Sequence, residues 1–217
     1  MRTAENREYF LEKANQETGV AIEILSGPEE ARIMAEGVLS QFPLLKGRSA
    51  IFDLGGGSTE FVIVCQGRMA ERLSLPLGAV GLTEEFLKTD PPTEKELISL
   101  RKLCRTILGK NLSKNDKIIN LIGTAGTVTT LAAMVKGITD YEPDLINGTI
   151  LLKDRLNQLA EDILSRPFDQ RKHLPGLEPG RADIIGAGLL VVLEIMEYFS
   201  KDRLLVSDAG LLEGLIL

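Results

Sequence analysis

Asp53, the glycines at 55, 56 and 57, Ser58, Thr59 and Glu60 sit within ten residues, Ile51-Phe52-Asp53-Leu54-Gly55-Gly56-Gly57-Ser58-Thr59-Glu60, followed by Phe61-Val62-Ile63-Val64. The order reads as a buried strand ending in an acid, a triple-glycine turn, and a second strand. Consecutive glycines cost backbone entropy and add no packing. They suit a place where backbone N–H groups must closely approach a guest, and phosphate oxygens are the usual one. Asp53 is placed to hold a divalent cation or its water, since Mg²⁺ favours one or two carboxylates together with phosphate oxygens. Ser58 and Thr59 add hydroxyls. The same spacing also fits a tight hairpin whose glycines serve only the turn.

A second glycine turn, Gly123-Thr124-Ala125-Gly126-Thr127, follows the apolar stretch Lys117–Ile122 and opens a helical pattern running through Met134. Free amides and the helix dipole favour an anion at such a point. Two such loops on neighbouring strand ends would clamp a chain of phosphates from two sides. Glu30 lies in Ser26-Gly27-Pro28-Glu29-Glu30, an ordinary helix entry with proline in the first turn and acids at the positive end.

The surrounding elements follow from periodicity. Residues 5–17 form an amphipathic pattern closed by Gly19, 20–25 alternate as a strand, and the helix entered at Ser26 runs to about Ser40. Residues 41–48 are a loop and a candidate domain boundary. Strands are expected at 49–54, 59–65 and 68–76, with a turn at Gln66-Gly67. A short helix follows Gly78 and Gly81, and another, capped by Thr93, runs to about Leu108. Helices at 154–165 and 181–199, a strand at 204–207, the turn Asp208-Ala209-Gly210 and a terminal helix complete the chain. A three-strand meander followed by alternating helices and strands implies an α/β fold.

Bulk properties exclude several functions. The net charge of −6 argues against binding a nucleic-acid polymer by bulk attraction. No run approaches the ~18 apolar residues of a membrane helix, and Met1–Asn15 lacks a signal-peptide pattern. His173 is the only histidine, which rules out multi-histidine metal sites and makes a Ser-His-Asp triad implausible. Cys65 and Cys104 read as buried reduced thiols, fitting a cytoplasmic setting.

Five blocks carry a resemblance to a known family: Ser26–Arg32, Asp53–Glu60, Gly123–Leu131, Pro179–Ile185 and Val206–Gly214. Together they resemble the acetate kinase, sugar kinase, heat-shock-protein-70 and actin superfamily, and within it the exopolyphosphatase and guanosine pentaphosphate phosphatase family. The resemblance implies a ribonuclease H-like (actin-like ATPase) domain with a mixed five-stranded sheet flanked by helices. It implies removal of a terminal phosphate from polyphosphate or guanosine pentaphosphate, aided by Mg²⁺ or Mn²⁺. Glu30 matches the family's catalytic base. Asp53 and Glu60 match acids around the metal and water, with Asp53 and Glu30 at the cation. Gly55, Gly56, Gly57 and Ser58, with Gly123, Thr124, Ala125, Gly126 and Thr127, match phosphate-cradling positions. Arg181 and Asp183 fall in a family signature but read as a helix-start charge pair packing onto the sheet.

The family's opening Asp-x-Gly-(Ser/Thr) loop has no counterpart here, and Leu212 stands where the family commonly has arginine. Residues 1–45 therefore match the end of the family's first domain and 46–217 its second. Such a chain is expected to hold one wall of a two-walled cleft and to show little activity alone. It is also expected to associate, as a homodimer, through apolar surface at 5–25. A phosphate- or nucleotide-binding module without turnover, and a sugar-kinase-like ATPase, are the competing readings.

Overall fold

The computed structural model describes residues 5–113 and 117–217. A mixed sheet of six strands, in the order β3-β2-β1-β4-β6-β5, forms the centre. β1 (Arg48–Leu54), β2 (Thr59–Cys65) and β3 (Arg68–Leu75) make the expected antiparallel meander. β4 (Asn120–Thr124) runs parallel to β1, and β6 (Arg203–Val206) parallel to β4. The sixth strand, β5 (Ile150–Leu152), pairs antiparallel with β6. Its three residues are too few to show a period, and it makes the sheet six-stranded where the family resemblance implied five.

Alternation along each strand separates two cores. Ala50, Phe52, Leu54, Phe61 and Ile63 face one side. There they meet α5 (Ala125–Lys136) and α9 (Ile185–Tyr198), the latter buried from Ile185 to Met196. α3 (Ala79–Phe86), α4 (Glu94–Asn111) and α7 (Lys153–Ser165) pack around α9. Thr93 caps α4 as expected, its hydroxyl 2.7 Å from the Glu96 carboxylate. Ile51, Val62, Val64 and Ile122 face the other side, against Ala31, Met34, Ala35 and Val38 of α2 (Gly27–Gln41).

α2 also crosses α10 (Leu211–Gly214) at very short range. A Cβ on Gly37 would stand 2.0 Å from the Gly210 carbonyl oxygen, and one on Gly214 would stand 1.8 Å from that of Ile33. Only glycine allows these backbones to touch.

α1 (Arg7–Thr18) ends at Gly19 in a left-handed turn (φ 70°), as its sequence suggests, and has no buried residue. Residues 20–25 form no strand. Ladder hydrogen bonds need a neighbouring strand, and this segment instead runs along a cleft lined by Ile22, Ile24 and Leu25. The helix expected over 181–199 is interrupted: a 3₁₀ turn spans Pro179–Arg181 and α9 starts at Ile185. Cys104 is buried, which pushes its thiol up to about 12, whereas Cys65 is only half-buried. Both are free thiols. Among the described residues no helix is long and apolar enough to cross a membrane.

Candidate active site

Strand register lines four polar residues up in one row. Thr124 of β4 pairs with Asp53 of β1, Asp53 with Glu60 of β2, and Glu60 with Ser74 of β3. Directly paired residues share a face of the sheet. Their alternation with Phe52, Phe61 and Gly123 puts them on the α2 face, at its carboxyl end. α2 carries Glu30 in its first turn and lies on that face, so packing by Met34 and Val38 delivers Glu30 to the same end of the sheet.

The triple-glycine turn is a hairpin, closed by Leu54 opposite Thr59 and by a Gly55 N–H bond to the Ser58 carbonyl at 3.0 Å. Its glycines do more than turn. None of the three has a positive φ, so chain reversal does not by itself demand them. The amides of Ala79 and Val80, entering α3, donate to the carbonyls of Gly55 and Gly56 at 3.0 and 2.9 Å. A trans peptide holds N–H opposite C=O, so the N–H groups of Gly56 and Gly57 point to the side of the loop away from α3. Gly78 permits this docking: a Cβ there would stand 2.2 Å from the Gly56 carbonyl oxygen and 2.3 Å from the Gly57 carbonyl carbon. A Cβ on Gly57, by contrast, would meet nothing within 4 Å. The backbone at Gly57 is thus open on its Cβ side, where the cleft lies.

Gly55, Gly56, Gly57, Ser58, Glu60, Ser74 and Glu30 line a cleft of about 720 Å³. Glu60 is 2% exposed. One of its oxygens, Oε1, accepts hydroxyl bonds from Ser58 at 2.8 Å and Ser74 at 2.7 Å. Burial, then the charges of Glu60 and Glu30, push Asp53 up to about 7. Three acids thus share one corner, and the described residues lining the cleft include Glu23, Glu30 and Glu60 but no lysine, arginine or histidine.

That charge pattern fits a divalent cation. An acidic wall can receive phosphate only with added positive charge, and among the described residues lining this one no side chain supplies it. Among the described residues no group of three or more His, Cys, Asp and Glu would hold a metal unaided. Mg²⁺ does not need one, since it binds through one or two carboxylates with substrate phosphates and water completing its shell.

The second loop lies next door through the Asp53–Thr124 pairing, but its residues have separate duties. A Cβ on Gly123 would come 2.8 Å from the Phe52 ring. The buried Thr124 hydroxyl donates to the Ala209 carbonyl at 2.9 Å. Ala125 takes a left-handed φ of 69° as the chain enters α5. Thr127 is buried against α9, where a Cβ on Gly188 would lie 2.6 Å from its methyl. Gly126 opens instead on a different cavity of about 840 Å³, lined also by Thr129, Tyr141, Lys172, His173 and Arg181.

The defining pattern of the Ppx/GppA phosphatase family matches residues 1–217. The chain belongs to that family. It is 31% identical over 227 residues to Exopolyphosphatase 2 of Mycobacterium tuberculosis, covering all of this chain and 71% of that one. It is 33% identical over 221 residues to the bifunctional 3-dehydroquinate synthase/phosphatase of Fusobacterium nucleatum, where it spans only 33% of the protein. The crystal structure of the Aquifex aeolicus Ppx/GppA family member superimposes with a TM-score of 0.88 at 35% identity, over 99% of this chain and 69% of that one. An exopolyphosphatase-like protein superimposes with a TM-score of 0.92 at 28% identity, over 99% and 73%. The fold is therefore the Ppx/GppA, actin-like α/β fold.

In this Ppx/GppA chain, the sequence-derived site residues fall in two groups. Glu30, Asp53, Gly55, Gly56, Gly57, Ser58 and Glu60 converge on the cleft or its acidic corner. Of the second loop, Thr124 joins the row and Gly126 faces the other cavity. Three participants escaped sequence reasoning. Ser74 sits in a strand with no motif, and only a register between β2 and β3 could have placed it opposite Glu60. Gly78 looked like a helix start. Arg181, expected to pair with Asp183, instead bonds Glu178 at 3.0 Å and lays its guanidinium over Gly126, 2.4 Å from where a Cβ would stand. The 3₁₀ turn ending at Arg181 is what points it there.

Proposed function

We propose that this chain carries the water-activating wall of a phosphohydrolase that removes the terminal phosphate of inorganic polyphosphate. The observation that carries the reading is the cleft itself. Outward-facing glycine amides, three acids and a glycine with empty space above it meet at the end of one strand row. In this reading the N–H groups of Gly56 and Gly57 hold phosphate oxygens. Asp53 and Glu30 would hold Mg²⁺ or Mn²⁺, which when bound neutralises phosphate charge and polarises the phosphoryl oxygens. Glu30 accepts a proton from the attacking water as its oxygen bonds to the terminal phosphorus and the bond to the next phosphate breaks. Phosphoryl transfer asks little more of a protein than positioning and electrostatics. Glu60, held by two hydroxyls, orients the water or the cation's hydration shell. The resemblance to exopolyphosphatases supports the substrate class.

A specific observation favours guanosine pentaphosphate as a second reading. The cavity beside Gly126 offers Tyr141, Thr129 and Arg181 within a volume of about 840 Å³, enough for a nucleoside attached to the phosphate chain.

Calorimetric binding of polyphosphate in Mg²⁺, measured alongside phosphate release, tests the proposal. Glu30→Gln should cut whatever release the parent shows by ~10²-fold or more. Unchanged release in Glu30→Gln, or no binding by the parent chain, would overturn it. Competition by guanosine, absent any phosphate, would favour the second reading.

A further inference from the structure

Ser74 stands directly opposite Glu60 in the antiparallel ladder, and its hydroxyl reaches Glu60 Oε1 at 2.7 Å. Ser58 reaches the same oxygen at 2.8 Å from the hairpin loop two residues before Glu60. The final torsion of a glutamate side chain is broad and close to two-fold, so a buried carboxylate held by one donor can trade its two oxygens. Two donors converging on Oε1 break that symmetry and fix the carboxylate plane. They come from different parts of the fold: Ser58 from the loop that meets the ligand, Ser74 from a strand anchored by its ladder.

We infer that Ser74 is a positioning residue: by fixing Oε1 of Glu60 from β3, it aims the carboxylate at the cation–phosphate assembly in the cleft. The inference rests on reading this cleft as a cation-dependent phosphate site. Ser74 touches neither substrate nor cation in this role; it acts through Glu60. Outer-shell partners of this kind usually account for 10–100-fold in metal affinity.

The test titrates Mn²⁺ into the full chain in the presence of tripolyphosphate, followed by the electron spin resonance of free Mn²⁺. Ser74→Ala should weaken Mn²⁺ about 10-fold, while its metal-free unfolding midpoint stays within a degree or two of the parent. Ser74→Thr keeps a hydroxyl and suits a strand, so it should restore affinity to within about two-fold of the parent. Equal Mn²⁺ affinity in parent and Ser74→Ala would overturn the role of Ser74 and leave the cleft reading standing. Loss of affinity that Ser74→Thr does not recover would also overturn it, because packing rather than the hydroxyl would then be responsible. Failure of the parent to bind Mn²⁺ with tripolyphosphate would instead remove the phosphate-site reading and the positioning role with it.

Discussion

The two glycine loops look alike in sequence and differ in what their glycines do. In the first, α3 takes the carbonyls of Gly55 and Gly56, the amides face outward, and Gly57 has open space where a side chain would be. In the second, Gly123 makes room for the Phe52 ring, Thr124 is tied to Ala209, and Gly126 lies under a guanidinium. The first loop leaves open space beside Gly57, whereas the second is filled mostly by neighbouring groups. A glycine-rich turn after a strand therefore signals close approach, but only packing tells whether the approaching group is a ligand or the protein itself.

The largest expected effect falls where the first loop is supported. Gly78→Ala drives a Cβ into backbone atoms of Gly56 and Gly57, which cannot rotate away. A stability loss at or above roughly 3 kcal/mol and loss of phosphate binding are expected; denaturant unfolding and calorimetry check both. A variant as stable as the parent would show that α3 does not set the loop. Gly123→Ala presses on Phe52 and Val128 side chains, which can partly yield, and should cost roughly 1–3 kcal/mol. If it abolished phosphate binding without a stability cost, the contrast between the loops would fail.

Asp53 gives the first loop a dependence on pH. Its carboxyl is pushed from 3.8 to about 7, so between those values the folded chain holds a proton that the unfolded chain has released. Stability from this group therefore falls as pH rises from about 4 to 7. Asp53→Asn should remove that decline and unfold at a higher temperature than the parent above pH 7 in metal-free buffer, by ~2–4 °C per kcal/mol. Scans at pH 5 and 8 with and without Mg²⁺ check this, and Mg²⁺ should stabilise only the parent. The smallest effect is expected for Gly126→Ala, where the obstacle is the mobile end of Arg181. Its unfolding midpoint should move by only a degree or two.

Local chemistry made much of this site readable. Asp53, the glycines and Glu60 are contiguous, and the proline and acids around Glu30 mark a helix start. The meander was legible because β1, β2 and β3 follow one another with a short turn at Gln66-Gly67. What stayed hidden depends on partners distant in sequence. Val20–Leu25 alternates like a strand, but among the described residues no strand pairs with it. β5 is too short for a pattern and exists because β6 has an edge to cover. Ser74 acquires its meaning only from the register with Glu60, and Arg181 only from the turn that stops α9 from starting earlier.

Gly57→Ala distinguishes a ligand-binding first loop from a purely structural turn. Its Cβ enters open space, so the folded chain should unfold at the parent's temperature, while polyphosphate affinity in Mg²⁺ should fall by an order of magnitude or more. Polyphosphate bound by Gly57→Ala as tightly as by the parent would contradict the claim that the first loop is the ligand wall.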